Sequence, residues 1–199
     1  MKLFGPVIIN TNGKVDNLLL AFKQQDYKPT VFDAMCLNNP AAGRLASHIK
    51  VLRMLPDGFD AIWICEEGCE FVGDKKNLRT NVDIFLDSSA DGICLGFNEL
   101  KATEYDDNFK QLFGSSLVNS YIVKRSVVER LIVVFGAAYK ALITDQPNVF
   151  LTEYKNLELP QRALDMNCIE RSIQPLMDKT CWLIPKTPFF VSSVQINNK

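Results

Sequence analysis

Three acidic side chains follow the most apolar segment of the chain. Glu66 and Glu67 come directly after the run 59–65, and Glu70 lies close behind them. Ligands of open α/β sheets bind beyond the carboxyl ends of the strands, so an acidic turn at that place could face a ligand. Carboxylate oxygens suit Mg²⁺ or Mn²⁺, and such an ion would neutralise a diphosphate. The alternative is a solvated acidic turn that ends a buried strand, which the local sequence alone favours.

The single histidine restricts the other kinds of site that the chain can hold. His48 stands alone, which excludes zinc sites that need two or more histidines. A serine or cysteine triad would need His48 as its base, but the neighbouring Ser47 would not face it on a helix. Cys65 and Cys69 form one CxxxC pair without a second pair at zinc-ribbon spacing. We therefore expect two buried thiols beside a turn.

His48 itself allows two interpretations. It precedes Ile49, close to the apolar face of a predicted helix, and a histidine hydrogen-bonded within the core is the more common outcome there. Arg44 lies four residues earlier, so both side chains share one side of that helix and could reach the same ligand.

Short apolar runs alternate with helical stretches, which predicts an α/β layered domain. The run 59–65 is nearly continuous in apolar residues, as is typical of a central strand that is covered on both faces. The predicted strands are 3–9, 30–35, 59–65, 93–96 and 116–123, with two short strands in 181–196. The predicted helices are 15–24, 40–55, 77–86, 126–142 and 165–177.

Composition and length limit the class of protein. The chain has 199 residues, which is typical of one domain. It has 22 basic and 23 acidic residues and a net charge of −1, which argues against a strongly basic nucleic-acid surface. Its longest apolar run, 131–139, is shorter than the roughly 20 residues of a membrane span. Six cysteines among apolar neighbours indicate free thiols in a reducing compartment. We therefore expect a soluble, cytoplasmic protein.

Five blocks follow one another along the chain in a fixed order. Ser47-His48 lies on a helix, and 66–68 ends a buried strand. A predicted strand at 119–123 comes next and is followed by a helix. The block 164–175 and then the serine-containing segment 190–196 complete the series. In order and spacing these blocks resemble glycosyltransferase family 25, of the lipooligosaccharide-biosynthesis type, and related GT-A-like glycosyltransferases.

The resemblance implies a single GT-A-like domain over residues 1–199, with a Rossmann-like mixed sheet flanked by helices. Residues 1–100 would bind the nucleotide sugar, with a UDP-sugar favoured, and residues 101–199 the glycan acceptor. The implied reaction moves a sugar from a nucleotide-diphosphate donor to that acceptor, with inversion and with help from Mn²⁺ or Mg²⁺. No nucleic acid is expected as a partner.

The resemblance also implies roles for individual residues. Glu66 and Glu67 would bind the metal, and Asp165 would be the general base on the acceptor hydroxyl, although Asp165 fits a helix N-cap equally well. Lys14 could meet a phosphate. The residues expected to contact the nucleotide are Ile9, Asn10, Thr11, Arg44, Ser47, His48 and Glu66.

One departure from the family pattern leaves the function open. Gly68 occupies the place of the family's second aspartate, and glycine has no side-chain oxygen. Either Glu66 or Glu67 takes over, or metal binding is weak, or activity is lost. The alternatives are a catalytically degenerate glycosyltransferase-like binding module and an unrelated α/β nucleotide-binding protein such as a phosphohydrolase.

Overall fold

Eight strands form one mixed sheet in the computed structural model, which describes residues 1–144 and 168–192. The strands are β1 (Leu3–Asn10), β2 (Thr30–Asp33), β3 (Ala61–Glu66), β4 (Cys69–Phe71), β5 (Gly92–Glu104), β6 (Phe109–Lys124), β7 (Trp182–Pro185) and β8 (Phe190–Ser192). The helices in these ranges are α1 (Asp16–Lys23), α2 (Pro40–Leu52), α3 (Lys75–Asp87), α4 (Arg125–Thr144) and α5 (Ile169–Met177). None of these helices is long and apolar enough to cross a membrane.

The sheet combines a parallel and an antiparallel part. Its strand order is β2-β1-β3-β6-β7-β5-β8-β4, and β5 pairs also with β6. β1 lies parallel to both β2 and β3, whereas β6 runs antiparallel to β3 and β5. The carboxyl ends of β1, β2 and β3 therefore meet at one edge of the sheet.

Helices cover both faces of the sheet. The buried residues of α1 and α3 pack on one face, and those of α2, α4 and α5 pack on the other. Because side chains alternate along a strand, Ile62 and Ile64 of β3 contact the α2 face, while Trp63 contacts the α1 face. The same alternation directs Glu66, two residues after Ile64, toward α2.

The structure confirms the predicted fold class, a mixed α/β sheet with flanking helices. The predicted strands and helices differ from the observed ones mainly in the antiparallel part of the sheet. β5 and β6 form a hairpin of 13 and 16 residues, much longer than the predicted strands 93–96 and 116–123. The outer part of β5 is largely exposed and polar, so it lacks the apolar run on which that prediction depended.

Two boundaries near the candidate site also need correction. The residues after Gly68 were expected to form a turn, but Cys69–Phe71 forms the strand β4, which pairs with β8. α5 begins at Ile169 with Cys168 as its N-cap, later than the predicted start at 165. Residue 165 lies outside the described residues.

Candidate functional site

A cleft of about 1080 Å³ opens at the carboxyl ends of β1, β2 and β3. The chain leaves β1 toward α1 on one face of the sheet and leaves β2 toward α2 on the other. Open α/β sheets bind their ligands at such a point, where the strand order reverses and the connections pass over opposite faces. Ile9 and Glu66, at the ends of β1 and β3, line the centre of the cleft together with Glu67 and Gly68.

The remaining lining residues divide into two sets. The α2 side consists of residues 34–37 together with Pro40, Gly43, Arg44 and Ser47, from α2 and the loop before it. The α1 side includes Lys14, Leu18, Gln24, Phe71 and Lys75, which come from α1 and the residues that flank it, from β4 and from the start of α3.

A buried ionic network fixes Glu66 on the α2 side. Its Oε1 atom accepts hydrogen bonds from Arg44 Nε at 2.7 Å and from His48 Nε2 at 2.9 Å. Burial raises the pKa of the Glu66 carboxyl, but the charge of Arg44 and the hydrogen bond from His48 outweigh it and hold the pKa below its ordinary value. Glu66 is therefore a fixed carboxylate. The four-residue spacing of Arg44 and His48 brings both to it, as the helical periodicity predicts.

Arg44 is held from its other end by a second glutamate. Its Nη1 and Nη2 atoms donate to the carboxylate of Glu170 on α5 at 3.2 and 2.9 Å, and Nη2 also donates to the carbonyl of Val118 at 3.3 Å. Burial lowers the pKa of Arg44, but Glu66 and Glu170 outweigh it and raise that pKa. One guanidinium thus lies between two carboxylates.

Sequence reasoning missed Glu170, although α5 contains a signal for it. Glu170 lies three residues before Ile173 and seven before Met177, on the buried face of α5. A carboxylate on an apolar helix face needs a cation or several N–H donors. The spacing predicts such a partner but does not identify Arg44, which is 126 residues away in the chain.

His48 is completely buried and reaches the cleft only through Glu66. Its Nδ1 atom lies 2.9 Å from the hydroxyl of Tyr121, which is also buried. Because an ionised carboxylate only accepts hydrogen bonds, Nε2 must carry the proton that bonds to Glu66. In the neutral ring, Nδ1 then accepts from the Tyr121 hydroxyl. The structure therefore gives His48 the core position that was the more common of its two interpretations.

Glu67 supports a loop. Its Oε2 atom accepts from the backbone N–H groups of Thr11 and Asn12 at 2.6 and 2.8 Å, and Oε1 accepts from the Asn12 side-chain amide at 2.9 Å. Its own N–H donates to the carbonyl of Ile9 at 3.0 Å. Glu67 thus ties the loop after β1 to the end of β3.

Two further predicted contact residues act within the protein. Ser47 is buried, donates to the Gly43 carbonyl at 2.8 Å and accepts from the N–H of Met35 at 2.8 Å. Asn10 donates to Asp33 at 3.2 Å and accepts from the N–H of Gly13 at 2.7 Å. Their side chains hold the loops that border the cleft. Asp165, the predicted base, lies outside the described residues.

The side chains at this turn do not fit a divalent cation. One oxygen of Glu66 already bonds to Arg44 and His48, and both oxygens of Glu67 accept N–H groups. A cation here would have to approach the guanidinium of Arg44 and displace these donors. Among residues 1–144 and 168–192, no group of three His, Cys, Asp or Glu side chains is placed to hold a metal ion. These contacts argue against Glu66 and Glu67 as ligands of Mn²⁺ or Mg²⁺, and a metal bound together with a nucleotide stays a prediction.

Comparisons with known proteins show the fold. A scan against protein-family models gives no match, and neither does a search of curated protein sequences. Among solved structures, A197 from STIV has a TM-score of 0.50 and 12% identity, over 96% of this chain and 83% of that one. UDP-glucose pyrophosphorylase in complex with UDP-glucose has a TM-score of 0.47 and 6% identity, over 92% of this chain and 67% of that one.

A mannose-1-phosphate geranyltransferase from Thermus thermophilus has a TM-score of 0.46 and 9% identity, over 93% of this chain and 74% of that one. Identities this low concern the fold alone, which is the mixed α/β, Rossmann-like arrangement. The resemblance to glycosyltransferase family 25 stays a prediction from sequence.

Proposed function

We propose that this chain is a transferase whose donor is a nucleotide-diphosphate sugar. The observation that carries this proposal is the cleft at the carboxyl ends of β1, β2 and β3. It lies where the strand order reverses, between connections that pass over opposite faces of the sheet, which is the ligand position of open α/β sheets. At about 1080 Å³ it is slightly larger than the usual range of ligand pockets, about 300–1,000 Å³. This volume suits a transferase, which must hold a donor and an acceptor together.

The two sides of the cleft suit different parts of the donor. The α2 side presents Met35, Leu37 and Pro40, whose apolar surfaces suit a flat nucleobase. The α1 side presents the ammonium groups of Lys14 and Lys75, which suit phosphates. Between them, Glu66 Oε2 accepts no hydrogen bond from the described residues and can accept one from a ribose or sugar hydroxyl.

The finer proposal is glycosyl transfer with inversion to a glycan hydroxyl, which rests on the family resemblance. In such a step a base takes the hydroxyl proton while the acceptor oxygen bonds to the anomeric carbon and the nucleoside diphosphate leaves. Asp165 is proposed as that base, from its place in the resembling block. Some structures that share the fold are named for nucleotidyl transfer, which would break a phosphate bond instead. The products distinguish the two reactions.

Binding is tested first, by thermal denaturation with UDP-, GDP- and dTDP-sugars. A ligand at one hundred times its dissociation constant stabilises the folded state by about 2.7 kcal/mol. We expect a rise in Tm with at least one of these donors. No rise with any donor, with or without Mn²⁺, would contradict the proposal.

Reaction is tested next, by mass spectrometry of mixtures with the bound donor and a panel of glycan acceptors. Glycosyl transfer gives a lengthened acceptor and a nucleoside diphosphate. Formation of a sugar phosphate and a nucleoside triphosphate from the donor and pyrophosphate would instead indicate nucleotidyl transfer.

A catalytically degenerate binding module is the second candidate, because Gly68 lacks the expected acid and the carboxylates of Glu66 and Glu67 already have partners. This candidate predicts donor binding without turnover. Turnover by Gly68→Asp, in a protein that otherwise has none, would support the module. Turnover by the natural chain would exclude it.

A further inference from the structure

We propose that Lys14 and Lys75 bind the phosphates of the nucleotide on the α1 side of the cleft, and that this binding needs no divalent cation. This inference rests on the proposed function and gives it a phosphate subsite. It replaces the expectation that Glu66 and Glu67 hold the diphosphate through a metal.

Among residues 1–144 and 168–192, the α2 side of the cleft has no positive charge that is left for a phosphate. Its guanidinium, Arg44, donates to Glu66 and Glu170, so one positive charge faces two negative ones. A phosphate at this place would compete with carboxylates that already have near-ideal distances to Arg44, and Glu66 would repel it.

The lysines of the α1 side keep their charge. Lys75 Nζ donates to Gln24 Oε1 at 2.6 Å, and an amide orients an ammonium group without neutralising it. Lys14 is exposed and lies two residues before α1. In the part of the chain that the structure describes, neither lysine forms an ion pair with a carboxylate. Both line the cleft, so both are available to an anionic ligand.

Two acidic residues lie near these lysines. Glu67 lines the cleft, but its oxygens accept three N–H groups of Thr11 and Asn12 and so face the loop. Glu70 also lines the cleft, but it is exposed, so solvent and salt screen its charge. The positive charges of Lys14 and Lys75 offset these negative charges. To bind a diphosphate, the two lysines need to give up only the hydrogen bond between Lys75 and Gln24.

The test is calorimetric titration with UDP and with uridine in the presence of EDTA. The variants are Lys14→Met, Lys75→Met and the double variant. The matched control is Lys76→Met, which removes an exposed lysine next to Lys75 that does not line the cleft. Each single variant should weaken UDP binding about tenfold, as expected for the loss of one charge-assisted contact. Uridine binding and the control should be unchanged.

The phosphate subsite and the proposed function fail in different ways. UDP affinity that stays the same in the double variant, while UDP and uridine still bind, would overturn the lysine subsite alone. UDP binding that appears only when Mn²⁺ replaces EDTA would overturn the metal-free part. Absence of binding by UDP, GDP, dTDP and their nucleosides under both conditions would overturn the proposed function itself.

Discussion

The two sides of the cleft use charge in opposite ways. On the α2 side, Arg44, Glu66 and Glu170 are largely buried and bond to one another. On the α1 side, Lys14 is exposed and Lys75 bonds to an amide. A buried charge must be paired to be stable, so burial leaves little of that charge for a ligand. The lysines of the exposed side have no carboxylate partner among the described residues, so their charge stays accessible to solvent and to the proposed ligand.

This contrast explains why the most conspicuous sequence feature is a weak guide to the ligand. The acidic turn after β3 is attractive because two carboxylates follow a buried strand. In the folded chain, one of them is fixed by α2 and the other supports the loop after β1.

The largest effect is expected for Glu170→Ala. This change leaves the Arg44 guanidinium with one partner fewer in a site where its side chain is only 30% exposed. Breaking a buried pair in this way costs about 3 kcal/mol of unfolding free energy. Glu99→Ala is the matched control, because its exposed ion pair with Lys110 contributes at most about 1 kcal/mol. Urea unfolding measures both, and equal losses would contradict the rigid character of the α2 side.

A smaller difference is expected between glycines of the two sides. A Cβ atom at Gly43 would overlap the backbone oxygen of Met35, so Gly43→Ala must move α2 away from the loop before it. We expect this change to cost about 2 kcal/mol of unfolding free energy. Gly13, near α1, has a φ of +78° and open space around it, so Gly13→Ala costs only about 1 kcal/mol of backbone strain. Thermal unfolding measures both variants. A larger loss of stability in Gly13→Ala than in Gly43→Ala would contradict this order.

The pH dependence of stability should report the fixed charge of Glu66. Its pKa is lower in the folded state than the ordinary 4.5, so its contribution is complete above about pH 4.5 and is lost as the pH falls through the lowered folded pKa. Urea unfolding between pH 6 and pH 3 should therefore show a steeper loss of stability for the natural chain than for Glu66→Gln. Parallel curves would contradict the network.

The smallest perturbation concerns the proton on His48. Because His48 is the single histidine of the chain, its two ring nitrogens can be assigned in an ¹⁵N NMR spectrum without ambiguity. In the neutral ring we expect the proton on Nε2, with Nδ1 accepting from Tyr121. Tyr121→Phe should shift the Nδ1 resonance and leave Nε2 protonated. A proton on Nδ1 alone would mean that Glu66 is not held as described.

The sequence predicted the parallel half of the sheet better than the antiparallel half. β1, β2 and β3 and the helices α1 and α2 follow from local apolar runs and helical periodicity, which each segment carries by itself. The hairpin of β5 and β6 depends on pairing between segments, and its outer, exposed residues carry no such signal.

The candidate site was only partly accessible to sequence reasoning. Its position beyond β3 and the shared side of Arg44 and His48 follow from strand direction and helical spacing. The orientation of Glu67 toward residues 11 and 12, and the pairing of Arg44 with Glu170, depend on contacts 55 or more residues apart. No short-range pattern contains that information.

The most direct test of the account is a crystal structure of the protein with UDP, grown in the presence of EDTA. We expect the uracil and ribose against residues 35–37, and phosphate oxygens within hydrogen-bond distance of Lys14 or Lys75, while Arg44 keeps its bonds to Glu66 and Glu170. A diphosphate found instead beside Glu66 and Glu67, with Arg44 displaced, or a nucleotide outside the cleft, would contradict it.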